Sequence, residues 1–322
     1  MRTYVLRRVL GAVPVLLGVS LLTFLLLHLA PGDFLDGFAE NPNVSAAQLE
    51  RMRRVFGLDR PWFVQYLLYL KNIVLHLDFG QSFSYHQPVF DVLRRGLGHT
   101  LLLTVAGACV TWGLAVPLGL VAAARQGTAL DRGLSLASFA LLSLPEVLSG
   151  LLLLVLAART GVLPIGGMQD LDHDRMHALA RFGDTVRHLV LPALVVGLVP
   201  LAARLRQMRS SVLDVMRLDW VTTARAKGAS PTRVLLRHVL PNALNPMITL
   251  FGFTLGSLLS GAFVAETIFS WPGLGSLTLE AVQRQDQYLV LGAVLMASAM
   301  LVAGNLVADL LLAWSDPRIA HE

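Results

Sequence analysis

Apolar and polar positions in this chain do not alternate. They segregate into long apolar runs separated by charged stretches. Six of these runs are long and apolar enough to cross about 30 Å of hydrocarbon, which takes about 20 helical residues: Val9 to Ala30, Thr100 to Ala124, Leu134 to Ala158, the shorter His188 to Ala203, Pro246 to Val264, and Tyr288 to Ala313. Continuous runs of this kind predict helices and exclude a membrane barrel, whose strands alternate. The first run is read as an anchor and not as a signal peptide. Its apolar stretch exceeds a signal core, and Leu27-His28-Leu29-Ala30-Pro31 makes a poor cleavage site.

Composition agrees with a membrane protein: 55% of the 322 residues are apolar and 15% are charged, against about 25% charged in ordinary soluble domains. The arginines sit between apolar runs and form no basic stripe interleaved with aromatics, which argues against a nucleic-acid partner. A single cysteine, Cys109, excludes a disulfide framework and cysteine-rich metal sites, and reads as a small apolar filler.

The 26 basic residues are placed unevenly. With the N-terminus inside, 14 fall on the cytoplasmic side and only Arg159, Arg175, Arg181, Arg187 and Arg284 in the two short outer loops. This is the asymmetry that retains Lys and Arg inside, and it predicts six spans with both termini in the cytosol. Residues 1–30 then form an N-terminal anchor, 31–99 an outer helical segment, and 100–322 a five-span core carrying a cytoplasmic loop at 204–240.

The outer segment carries its own helix signals. Ser45 and Gln48 have the form of a capping box, with Leu49, Met52 and Phe56 following at helical spacing and Gly57 as a left-handed stop. Pro61 suits a second helix start. Trp62 to Leu75 is too short to span comfortably, so it lies along the outer membrane face or packs on the bundle, with Trp62 and Tyr66 suited to the interface. A third short helix is expected from Pro88 to near Gly96.

The loop Arg204 to Leu240 holds eight basic residues and two acids, Asp214 and Asp219. Val212 to Lys227 reads as one helix stopped by Gly228, and Ser230 as the cap of a second helix that begins at Pro231. Small residues near this corner, Thr222, Thr223, Ala224 and Ala226, would let another protein come close. A solvated positive-inside loop is the competing reading.

Asp219-Trp220-Val221-Thr222-Thr223-Ala224-Arg225-Ala226-Lys227-Gly228, followed by His238-Val239-Leu240-Pro241, resembles the EAA loop of the permease subunits of ABC importers. Leu6-Arg7-Arg8 through Leu29-Ala30-Pro31-Gly32-Asp33, Ser143-Leu144-Pro145-Glu146, Glu266-Thr267-Ile268-Phe269-Ser270-Trp271-Pro272-Gly273-Leu274-Gly275 and Asp316-Pro317-Arg318 are similar to the dipeptide and oligopeptide branch, in particular to the first of its two permeases. Thr222 stands where the motif's glutamate would be, and Gly166 to Arg187 is longer and more charged than the family pattern. The resemblance implies a second permease, two cytosolic ATPases, an external solute-binding protein and a peptide substrate. It also implies that Asp219, Thr222, Thr223, Ala224, Arg225, Ala226, Lys227 and Gly228 couple the chain to an ATPase.

Motif searches are consistent with a pore subunit lacking its own chemistry. Neither Lys71 nor Lys227 sits in a phosphate-cradling loop, and no G-x-S-x-G or H-E-x-x-H occurs, so no catalytic residue and no cofactor is expected. Asp170, Asp172 and Asp174 imitate a calcium loop, but Arg175 and Arg181 stand where glycine and glutamate are needed. Asp172, His173, Asp174 and His177 could hold a metal adventitiously in what otherwise reads as a solvated loop. Charged groups inside spans are costly, which makes Glu146 the candidate for the translocation path, while Glu266 and Asp309 read as structurally paired. An importer of nickel or glutathione, or a self-contained secondary transporter, remain as alternatives.

Overall fold

The computed structural model describes residues 2–30, 45–55 and 59–315. The expectations resting on Pro31-Gly32-Asp33, on Phe56 and Gly57, and on Asp316-Pro317-Arg318 lie outside these residues. Among those described the structure is helical, with one isolated antiparallel bridge between Gln81 and Pro88. In chain order the longer helices are α1 (Arg2–Leu29), α2 (Ala46–Val55), α3 (Trp62–His76), α4 (Val89–Ala124), α5 (Ala129–Ser143), α6 (Glu146–Thr160), α7 (Ala178–Met216), α8 (Asp219–Ala226), α9 (Asn245–Ile268), α10 (Leu274–Gln283) and α11 (Gln287–Ser315), with shorter helical pieces between Pro231 and Ala243.

Four helices, α1, α4, α7 and α11, contain stretches able to cross a membrane unbroken by length and composition, and α9 covers the fifth sequence-expected span. The third expected span differs. It is two helices, α5 and α6, bent by 104° at Leu144-Pro145. Pro145 cannot donate a backbone hydrogen bond and disfavours helical geometry at the residue before it; Leu144 is accordingly extended.

Two further boundaries depart from expectation. The helix at Val89 does not stop near Gly96 but runs on to Ala124. Gly96 serves a close approach instead, since a β-carbon there would lie 2.5 Å from Leu277 Cδ1. The expected helix Val212 to Lys227 is split at Arg217-Leu218, where 3₁₀-type bonds to Asp214 and Val215 close α7 and extended Leu218 opens α8. Tertiary packing wins over local propensity here, because the split turns Val221 into a fully buried position beside Leu120, Met208 and Val234.

Two compact units separate. One comprises Thr100–Trp271 with α11 from Leu301; the other comprises Arg2–His99 and Pro272–Met300. In the second unit the capping box forms as expected, with Ser45 N–H donating to Gln48 Oε1 at 2.8 Å and Gln48 N–H to Ser45 Oγ at 3.3 Å. Helix α3 starts immediately after Pro61 and packs on α1. Tyr66 is buried and hydrogen-bonded to Ser20 Oγ at 2.9 Å, so it holds a helix contact, whereas Trp62 is exposed. In the first unit α4 and α7 cross closely. The β-carbon position of Gly197 is 2.8 Å from Gly107 O, and Thr111 donates to Gly197 O at 2.9 Å, the small-residue and hydroxyl contacts that draw helices together in lipid.

Candidate functional site

The corner between α8 and the following segment is built by local chemistry. Gly228 has φ +81°, a left-handed value that costs other residues about 1–2 kcal/mol. Its N–H bonds Arg225 O at 2.9 Å and the Ala229 N–H bonds Ala224 O at 3.3 Å, which together make a Schellman stop. Ser230 then caps the next helical start, accepting from Arg233 N–H at 3.4 Å with Pro231 in the first turn. That segment widens into a π-helical stretch at Val234–Val239 just before Pro241, whose missing N–H leaves the regular ladder incomplete.

The corner has an inside and an outside. Val221, Val234 and Val239 are buried in one apolar cluster with Leu120, Met208, Val212 and Met247. Ala224 is half-buried against the same cluster, so its side chain is part of the support and not part of the free face. Asp219, Thr222, Thr223, Arg225, Ala226, Lys227 and Gly228 are exposed, with Trp220 exposed beside them. A cavity of about 440 Å³ opens alongside, lined by Arg225, Pro231, Thr232, Leu235 and Met216 among others. Seven of the eight residues are thus exposed, on a corner whose inner side is buried.

Glu146 lies apart from that corner, in the first turn of α6 immediately after the bend. It is half-buried, and its Oε1 is enclosed without a hydrogen-bond partner among the described residues. The positive end of the helix favours an anion there. Glu266, by contrast, is fully buried and accepts a hydrogen bond from Thr100 Oγ1 at 2.5 Å, consistent with the structural role expected of it.

Sequence reasoning missed one clamp. Asp131, buried in the first turn of α5, receives Arg209 Nε at 2.6 Å and Nη2 at 2.8 Å, and Gly127 N–H at 2.9 Å. This bidentate pair bolts the turn before α5 to α7 close to the corner's base. Arg209 had been counted only among the retained positive charges, and nothing local links positions 78 residues apart.

Comparison with known proteins gives a consistent account. The family model described as binding-protein-dependent transport system inner membrane component matches residues 115–321, and its N-terminal counterpart matches residues 1–104. The chain is 37% identical to the oligopeptide transport system permease protein AppB of Bacillus subtilis over the whole of both chains. It is 36% identical to the di/tripeptide transport system permease protein DppB of Pseudomonas aeruginosa and 35% to the dipeptide permease protein DppB of Escherichia coli K12, again over the full length of each. Among solved structures, a chain of the MetNI methionine ABC transporter in inward-facing form superposes with a TM-score of 0.51 at 17% identity, covering 69% of this chain and 97% of that one, which speaks for the fold alone.

Proposed function

The chain belongs to the family of binding-protein-dependent transport system inner membrane components, and from that premise we propose that it forms half of the pore of an ATP-driven importer of di- or oligopeptides. It is a multi-pass inner-membrane permease subunit, built of helices. A second permease completes the pore, an external solute-binding protein delivers peptide, and two cytosolic ATPases supply the work. Both termini and the loop 204–240 face the cytosol, in keeping with the uneven placement of basic residues. The relatives above are named for peptides, which favours that cargo over nickel or glutathione. Membership of a binding-protein-dependent family removes the need for a self-contained secondary transporter.

The observation that carries the mechanism is the corner at Asp219 to Gly228. A hinge that transmits force needs a rigid base and a free face that a partner can grip. Buried Val221, Val234 and Val239 give the first, and exposed Thr222, Thr223, Arg225, Ala226, Lys227 and Gly228 give the second. An ATPase closing on ATP pushes this face, and α7 and α9, which flank the corner along the chain, carry the displacement into the membrane. Glu146, at a break in the backbone and with an enclosed oxygen lacking a partner among the described residues, is the group offered to the ammonium of a passing peptide.

The test replaces residues on the free face only. Ala226→Trp overfills the grip and Gly228→Val strains the turn, whereas Ala224→Trp would press into the chain's own core and report on folding. Both informative variants should insert and assemble with the second permease but lose ATPase co-purification, or hydrolyse ATP without uptake. Normal peptide uptake per ATP in the double variant would overturn the assignment.

A further inference from the structure

The charged loop between α6 and α7 closes on itself through a cluster of carboxylates and imidazoles that the transport reading does not use. Asp184 and His188 lie one turn apart on the same face of α7, and both are buried, at 7% and 5% exposure. Asp170 and His173 come down onto them from the loop. Asp184 is fixed from three directions: its carboxylate accepts the Asp170 N–H at 3.0 Å, stands 2.6 Å from His173 Nδ1, and stands 3.1 Å from His188 Nδ1.

The tautomer of His188 follows from its neighbours. Nδ1 lies 2.9 Å from the Asp184 backbone carbonyl, an acceptor that places the ring proton on Nδ1. Nε2 is left as a lone pair. It faces Asp170 Oδ1 at 4.0 Å, well beyond hydrogen-bond reach. Two electron-pair donors held face to face at that distance leave room for a cation between them and not for a shared proton. One ligand atom from each of Asp170, Asp184 and His188 lies within 4.8 Å of the others. Tetrahedral ligands at zinc distances stand roughly 3.4 Å apart, and the Asp170 side chain, which is 61% exposed, is free to rotate toward Nε2.

We propose that Asp170, Asp184 and His188 bind one divalent transition-metal ion of the zinc class, with His173 orienting the Asp184 carboxylate from behind. The donors suit this assignment. One imidazole and two carboxylates favour zinc and its first-row neighbours over calcium, which takes six or more oxygens. The imidazole presents Nε2 while its Nδ1–H is anchored to a carbonyl, the arrangement that fixes a metal-binding histidine. An exposed third donor leaves one coordination position open to water. The ion would tie the loop 161–177 to the first turns of α7, adding to the anchors already present there, the Gly167 N–H on Phe269 O at 2.8 Å and Arg181 Nε on Met176 O at 2.9 Å. None of this depends on what the pore carries.

The experiment uses the chain assembled with its transporter partners in nanodiscs, stripped with chelator and titrated calorimetrically with Zn²⁺, then with Co²⁺ read by visible absorption. The complex should bind one tight equivalent of Zn²⁺ per copy of this chain and give cobalt ligand-field bands of a nitrogen- and oxygen-ligated site. Asp170→Asn, on an exposed side chain and so with unchanged melting in the absence of metal, should remove both signals. His188→Gln should do the same, His173→Gln should weaken Zn²⁺ by about tenfold through lost orientation, and His177→Gln, on the exposed neighbour outside the cluster, should change nothing. Absence of a tight equivalent in the unsubstituted complex, or binding by Asp170→Asn equal to it, overturns the proposal.

Discussion

Two carboxyl groups in apolar helices are treated in opposite ways. Glu266, near the end of α9, is fully buried and bonded to Thr100, with its own carbonyl accepting the Trp271 N–H at 2.8 Å. Glu146 sits at the break between α5 and α6, half-buried, with one oxygen enclosed and without a hydrogen-bond partner among the described residues. The two cannot serve one purpose. A buried polar group is inexpensive only when satisfied, so Glu266 belongs to the scaffold. Glu146 Oε1 is not satisfied by any of the described residues. Asp131, with its bidentate arginine, falls with Glu266.

If that division is correct, the largest effect follows from stripping a partner from a satisfied group. Arg209→Leu leaves the buried Asp131 carboxylate with the Gly127 N–H and without its cation, and breaking a buried pair in this way costs about 3–5 kcal/mol. We expect low yield and a sharply lowered melting temperature of the detergent-extracted complex; Asp131→Asn with Arg209→Gln should recover part of it. An Arg209→Leu complex as stable as the unsubstituted one would place Asp131 with Glu146 instead. Next in size is Thr100→Val, which keeps shape and removes one hydrogen bond to a buried carboxyl, a loss of about 1.5–3 kcal/mol. Melting should fall, while peptide uptake per folded complex should not.

The readability of the sequence divides along a similar line. Runs of apolar residues were legible because the membrane imposes length and composition on each crossing separately, and the capping box at Ser45, the start after Pro61 and the stop at Gly228 were legible because their chemistry is local. What failed was whatever depended on a distant partner. Gly96 read as a stop because its neighbour Leu277 is invisible from position 96, and Val212 to Lys227 read as one helix because the burial of Val221 is a tertiary reward. The bend at Pro145 sits between these cases. The proline is visible in the sequence, but the span Leu134 to Ala158 reads as continuous through it, and the 104° bend is not local information. In the candidate site, the exposed face of the corner was named nearly whole, whereas Ala224 changed sides once its neighbours were known. Asp184 and His188, four apart on a helix, share a face that the sequence displays, but their meeting with Asp170 and His173 depends on how the loop folds back.

The smallest effect on stability is expected where the effect on function is sharpest. Glu146→Gln keeps the size of the side chain and removes its charge. It gives up no hydrogen bond at Oε1, since none is made among the described residues, and forgoes only the attraction of the α6 N-terminus for an anion, worth about 0.3–1 kcal/mol near the surface. Melting of the complex should therefore stay within a few degrees of the unsubstituted protein, and assembly with the second permease should be unchanged. Uptake should separate by substrate: a peptide with a free ammonium terminus should be transported more slowly by the variant, and an N-acetylated peptide of the same sequence should be affected less. A purely structural carboxylate would lower yield and slow both substrates equally, which would move Glu146 into the same class as Glu266. Equal uptake of both peptides at the unsubstituted rate would remove it from the translocation path altogether.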